Sequence, residues 1–89
     1  MHRSVVVALT EGLHARPAAR FVAEAARQPV PVTIAKNGSV PVATASILGI
    51  MTLGVALGDE VVLATELDDD AAHLALSALE EFLRQESVA

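Results

Sequence analysis

Asn37-Gly38, lying between two short runs rich in β-branched residues, sets the narrowest limit on the fold. Both residues tolerate φ > 0, the backbone requirement of tight hairpin turns, so Val32–Lys36 and Ser39–Ala43 read as antiparallel neighbours. Pro41 cannot donate to a ladder, which makes the second of them an edge strand.

The rest of the chain alternates strand and helix signals. Ser4–Leu9 is short and β-branched and reads as a strand. Pro17 opens a helical pattern in which Ala18, Phe21, Val22 and Ala25 share one apolar face, with Arg20, Glu24 and Arg27 on the other. Proline fits a first helical turn because its missing N–H has no intrahelical partner there. Gln28-Pro29 stops the helix. Ser46 is a candidate N-cap for a two-turn helix over Ile47–Leu53, and Gly54 fits the residue just past its end. Gly58-Asp59 turns the chain into a fourth strand, Glu60–Thr65. Asp68-Asp69-Asp70 caps a last helix whose apolar face is Ala72, Ala75, Leu76, Leu79 and Leu83. The order β-α-β-β-α-β-α predicts an α+β, two-layer open-faced sandwich: a four-stranded, mostly antiparallel sheet with three helices on one face.

Eighty-nine residues make one domain, and 53% hydrophobic content gives it a core. No cysteine is present, which removes disulfides and thiolate metal sites. The three histidines have no H-x-x-x-H spacing, so no metal site is expected. A net charge of −5, with neither Tyr nor Trp, argues against nucleic-acid binding. No segment approaches the ~18 apolar residues of a membrane span. The run Val5–Leu9 is too short for a signal peptide, and the default expectation is a cytoplasmic protein with no membrane insertion. The charge is uneven: residues 1–45 carry five basic and two acidic groups, residues 46–89 one basic and nine acidic. A local positive site on an acidic protein would suit an anion or an acidic partner.

The candidate site is Gly12-Leu13-His14-Ala15-Arg16-Pro17. A helix N-terminus presents unpaired N–H groups and a partial positive charge, and favours an anion by about 0.3–1 kcal/mol. Arg16 offers a planar fork of donors to phosphate oxygens. Gly12 permits a tight turn, and a neutral imidazole is a nucleophile. On spacing alone two readings stand. Either His14 flanks the helix start and Arg16 is a solvated surface group, or the segment is a phosphate site, covalent or not.

Gly12-Leu13-His14-Ala15-Arg16-Pro17-Ala18 resembles the phosphohistidine signature of the HPr family, the phosphocarriers of the phosphoenolpyruvate-dependent sugar phosphotransferase system. Ser46-Ile47-Leu48-Gly49-Ile50-Met51-Thr52-Leu53-Gly54 resembles the regulatory-serine segment of the same family. With the length, element order and hairpin, the resemblance covers essentially residues 1–89 as one HPr-like domain. It implies that His14 accepts a phosphoryl group on Nδ1 from phosphorylated enzyme I and passes it to the A domain of a sugar-specific enzyme II. In that scheme Arg16 neutralises the transferring group and Pro17 fixes the helix start. The resemblance implies no cofactor or metal, no independent catalytic turnover, and a monomer.

The implied partner surface surrounds His14. It includes Arg20 and Arg27 on the first helix and Ile47, Leu48 and Met51 on the second. The spacing of Ile47, Ile50 and Met51 predicts one inward stripe, with Leu48 and Leu53 outside it. Ser46 is sufficiently explained as a cap. In one branch of the family the matching serine is also phosphorylated by a serine kinase. Two positions depart from the family pattern: Glu11 stands where relatives often carry Asn or Ser, and Ala45 where many carry Lys. The alternatives are a regulatory interaction protein of the same fold, acting through Ser46 or partner binding, and a carrier in a nitrogen-related regulatory relay.

Overall fold

The computed structural model describes residues 1–87. In chain order its elements are β1 (His2–Val6), α1 (Ala15–Ala26), β2 (Thr33–Lys36), β3 (Val42–Ala43), α2 (Ile47–Leu53), β4 (Glu60–Ala64) and α3 (Asp70–Arg84). The sheet order is β1-β4-β2-β3, and every pairing is antiparallel. Val5 lies opposite Val61, and Leu63 lies opposite both Arg3 and Ile34. Val5, Val61, Leu63 and Ile34 therefore share one face of the sheet, and all four are buried.

The helices cover that face. α1 contributes Ala18 and Phe21, α2 contributes Ile50, and α3 contributes Ala72, Ala75, Leu76, Leu79 and Leu83. α3 also buries Phe82, whose ring meets Phe21 edge-on with centroids 5.4 Å apart at 61°. That arrangement places the positive ring edge against a negative face. Thr44 is a buried polar residue, and its hydroxyl donates to the Val32 carbonyl oxygen at 2.9 Å. At the β1 edge, Arg3 points to the helical side and bonds Ser77 Oγ (2.9 Å) and Glu80 Oε1 (3.1 Å) on α3. A half-buried charge pointing inward makes this edge a poor template for another strand.

Several boundaries differ from expectation. The first strand ends at Val6 rather than Leu9, because beyond it the chain leaves β4 for α3: Ala8 N–H donates to Leu83 O, and Thr10 N–H to Glu86 O. Val7 and Leu9 stay buried, so the alternation persists where the ladder does not. The third strand is only Val42–Ala43, since Pro41 interrupts the ladder. In the hairpin, Ser39 N–H donates to Lys36 O at 2.8 Å. Only Gly38 has positive φ (81°), so Asn37 does not take the left-handed conformation its sequence allows. α1 starts at Ala15, two residues before Pro17, which leaves the proline inside the first turn.

Two loops meet at one end of the sheet. Gly12 has φ 64°, and a Cβ there would stand 2.4 Å from the Val55 carbonyl oxygen and 2.8 Å from Ala56 Cα. Leu13 N–H donates to that same Val55 oxygen at 3.0 Å. The Val55–Ala56 segment is itself held by Asp59, whose Oδ2 accepts the Ala56 N–H at 2.8 Å and faces Lys36 Nζ at 3.0 Å. The Ala56 hydrogen bond, then Lys36, hold the Asp59 carboxyl below its ordinary value.

Gly12→Ala should destabilise the fold by about 2–5 kcal/mol, combining left-handed strain with a backbone clash, as read from urea unfolding midpoints. Because the folded state favours ionised Asp59, its contribution is present at neutral pH and lost as pH falls through its lowered folded pKa. Asp59→Asn should therefore be less stable than the parent at pH 7. The two unfolding midpoints should converge as pH falls below about 4.

Candidate functional site

His14 is held by its neighbours rather than by bonds of its own. Leu13 on one side, and Pro17 and Ala18 on the other, are buried, while the His14 side chain is exposed. Gly12 N–H closes a turn on Leu9 O at 3.0 Å, and Leu13 is bonded to Val55. His14 is the N-cap of α1 in an extended conformation (φ −105°, ψ 151°), and its side chain makes no capping hydrogen bond. The imidazole is thus not consumed by the structural task that spacing alone left open for it.

Ala15 makes the turn from this extended residue into the helix. Its φ is 35°, the one positive φ among the described non-glycine residues. An L-residue there costs about 1–2 kcal/mol. The fixed points on either side, buried Leu13 and buried Pro17, impose that conformation. Nothing in an alanine signals such a backbone, and the sequence reading missed it.

The helix start is electropositive. No acidic residue occupies the first turn of α1. Pro17 has no N–H, and Ala18 N–H already bonds His14 O at 3.3 Å. Among the described residues, the Ala15 and Arg16 N–H groups make no backbone hydrogen bond outside the helix, and they lie too early in it to find one inside.

The basic side chains divide clearly. Arg3 and Arg84 pair with Glu80, Arg27 with Glu24, and Lys36 with Asp59. Among the described residues, only Arg16 and Arg20 form no ion pair, and both are exposed. They are four positions apart on α1, one helical turn, on the half that begins at His14. Arg27 caps the opposite end of α1 and sits 3.6 Å from Glu24, so the structure does not bring it to His14. Glu11 is exposed and forms no ion pair with the described residues.

α2 packs beside α1. Ser46 is its N-cap, with Oγ accepting the Gly49 N–H at 3.1 Å. The inward stripe expected from Ile47, Ile50 and Met51 is not what forms. Ile50 is fully buried, and Leu53 packs partly against the core instead. Ile47 (41%), Met51 (42%) and Leu48 (76%) are exposed. A seven-residue helix is held at only a few points, and Ile50 with Leu53, three positions apart, is the pair that reaches the core. The result is a single apolar strip on the helix next to α1, of the kind that marks a protein-binding surface.

Among the described residues, no group of three or more His, Cys, Asp or Glu side chains converges to hold a metal ion. A cavity of about 320 Å³ is lined by Val30, Pro31, Ala64, Leu67 and Ala72 among others, and His14 is not part of its lining. His14 itself lies in the open, where a macromolecular partner can reach it. The arrangement can expose a nucleophilic ring nitrogen, offer N–H and guanidinium donors to an anion attached there, and present both beside an apolar strip.

Comparison with known proteins bears on the family and the fold. The sequence matches the PTS-HPr family, described as the PTS HPr component phosphorylation site, over residues 1–85. It is 46% identical over 83 residues to the phosphocarrier protein HPr of Streptomyces coelicolor, covering 93% of this chain and 87% of that one. It is 40% identical over 86 residues to the HPr-like protein Crh of Halalkalibacterium halodurans, covering 97% and 99%. The crystal structure of a phosphocarrier protein HPr from Bacillus anthracis superposes with a TM-score of 0.84 at 40% identity, covering 93% of this chain and 95% of that one. A family match over nearly the whole chain, together with a shared fold, shows that the chain belongs to the HPr family of phosphocarrier proteins.

Proposed function

We propose that this protein carries a phosphoryl group on His14, taking it from phosphorylated enzyme I and giving it to the A domain of a sugar-specific enzyme II, in the cytoplasm and as a monomer. One observation carries the reading. The exposed imidazole stands at the start of α1, where the Ala15 and Arg16 N–H groups make no backbone hydrogen bond among the described residues, and the first half of that helix carries Arg16 and Arg20, which form no ion pair with a described carboxylate.

In the first step a lone pair on neutral His14 Nδ1 attacks the phosphorus, and the donor's bond to phosphorus breaks as the new P–N bond forms. Positive charge on the phosphorylated ring is relieved by loss of the Nε2 proton to solvent. In the second step the acceptor attacks, the P–N bond breaks, and His14 regains its proton. The Arg16 guanidinium and the first-turn N–H groups meet the negative charge in both steps. A carrier must not hold its cargo too well, and an exposed site weakens each of these contacts by solvation. Arg20 adds positive potential for steering acidic partner surfaces, and Ile47, Leu48 and Met51 supply the apolar contact.

The similarity to the HPr-like protein Crh supports a second reading, compatible with the first: a regulatory protein acting through Ser46. Oγ of Ser46 already meets the Gly49 N–H. A phosphate there would suit its own helix and place about two negative charges beside Ile47 and Leu48.

Incubation with phosphoenolpyruvate and the cognate enzyme I should add one phosphoryl group, seen by intact mass and removed by brief acid treatment. His14→Ala should remain folded and gain none, and a normal gain by that variant would remove His14 from the role. Arg16→Ala should slow acceptance by about ten- to a hundredfold, with Arg16→Lys intermediate because it keeps the charge without the planar fork. An unchanged rate in a quench-flow assay would refute the role of Arg16. Ser46→Asp should lower acceptance at His14, and no effect would leave Ser46 as a cap alone.

A further inference from the structure

Lys36 and Asp59 make none of their hydrogen bonds to residues 12–18, yet they hold the segment on which His14 rests. Lys36 Nζ donates to Gly54 O at 2.9 Å and pairs with Asp59 Oδ2 at 3.0 Å. The same oxygen accepts the Ala56 N–H at 2.8 Å. Gly54 is the C-cap of α2, whose last turn has no basic residue of its own, so the Lys36 ammonium meets the negative end of that helix. Val55 lies between these two fixed points. Its carbonyl oxygen accepts the Leu13 N–H, and its backbone fills the space where a side chain on Gly12 would be. The Lys36 and Asp59 side chains are 35% and 29% exposed, which screens their pair less than a fully solvated one.

We propose that Lys36 and Asp59 are positioning residues for phosphoryl transfer: together they clamp the 54–59 loop and so set where Val55 holds Leu13 and where His14 stands. The inference rests on His14 being the phosphoryl acceptor. Three links connect the clamp to the imidazole: the Lys36–Asp59 pair, the Val55 carbonyl, and the Leu13 backbone that leads directly into the strained turn at Ala15. A transfer reaction depends steeply on the placement of its nucleophile, whereas the proposed docking uses the exposed Ile47, Leu48 and Met51 of α2, and the clamp meets that helix at its C-cap, Gly54.

The test measures enzyme I kinetics with each full-length protein as phosphoryl acceptor: the parent, Lys36→Met, Asp59→Asn and the double variant. Each single change should lower kcat by about three- to tenfold, with KM within about twofold. The double variant should be no slower than the slower single, because the two residues act as one unit. The Leu13 and Ala15 amide resonances of the unphosphorylated singles should shift in the same direction. Unchanged kcat with a lowered unfolding midpoint would overturn the proposal and leave the pair as fold support. Raised KM at constant kcat would overturn it in favour of a docking role, and additive losses would refute the coupling. If the parent itself accepts no phosphoryl group, the proposed function fails, and the amide shifts alone judge the clamp: unmoved Leu13 and Ala15 resonances would overturn it.

Discussion

A Cβ at residue 12 would lie 2.4 Å from the Val55 carbonyl oxygen, so the loop before α1 can close on the loop after α2 only through glycine. That backbone-to-backbone contact has consequences in both directions. Toward the N-terminal side of α1 it seats Leu13, leaves His14 outside the core as the N-cap, and leads into the tight turn at Ala15 (φ 35°). Toward α2 it ties the site to the helix that carries Ser46 and the exposed Ile47, Leu48 and Met51. The sheet and α3 supply the stability that holds both loops in place.

The electrostatics divide the molecule by task. Most basic side chains pair with carboxylates within the fold, and among the described residues the two that do not, Arg16 and Arg20, lie on the half of α1 that begins at His14. A small positive site without paired carboxylates on an acidic protein favours anions locally. For the proposed cargo, such a site offers several modest contacts in solvent rather than a few strong ones in a cavity. That suits a group that has to leave again.

Much of this was legible in the sequence because it is local. Asn37-Gly38 gave the hairpin, Pro41 the edge strand, Ser46 and Gly54 the ends of α2, and the spacing of Ala72 through Leu83 the buried face of α3. What was not legible depends on distant partners. The ladder of β1 stops at Val6 because α3 competes for Ala8, and no pattern within residues 4–9 records that. The outward face of α2 was misread because seven residues give too little periodicity to distinguish Ile50 with Leu53 from Ile50 with Ile47. The division between paired and free arginines depends on which carboxylates the fold brings near. The left-handed turn at Ala15 belongs to the seating of Leu13, two residues earlier, and has no signature in its own side chain.

The central claim is that the cargo is an anion on His14 Nδ1, held by the start of α1. The most direct test is heteronuclear NMR of the uniformly ¹⁵N-labelled, phosphorylated protein. The account requires one phosphohistidine, at His14 and substituted on Nδ1, with the Ala15 and Arg16 amide protons shifted downfield by new hydrogen bonds to phosphoryl oxygens. A phosphoryl group on another residue or on Nε2, or unmoved Ala15 and Arg16 amides, would contradict it.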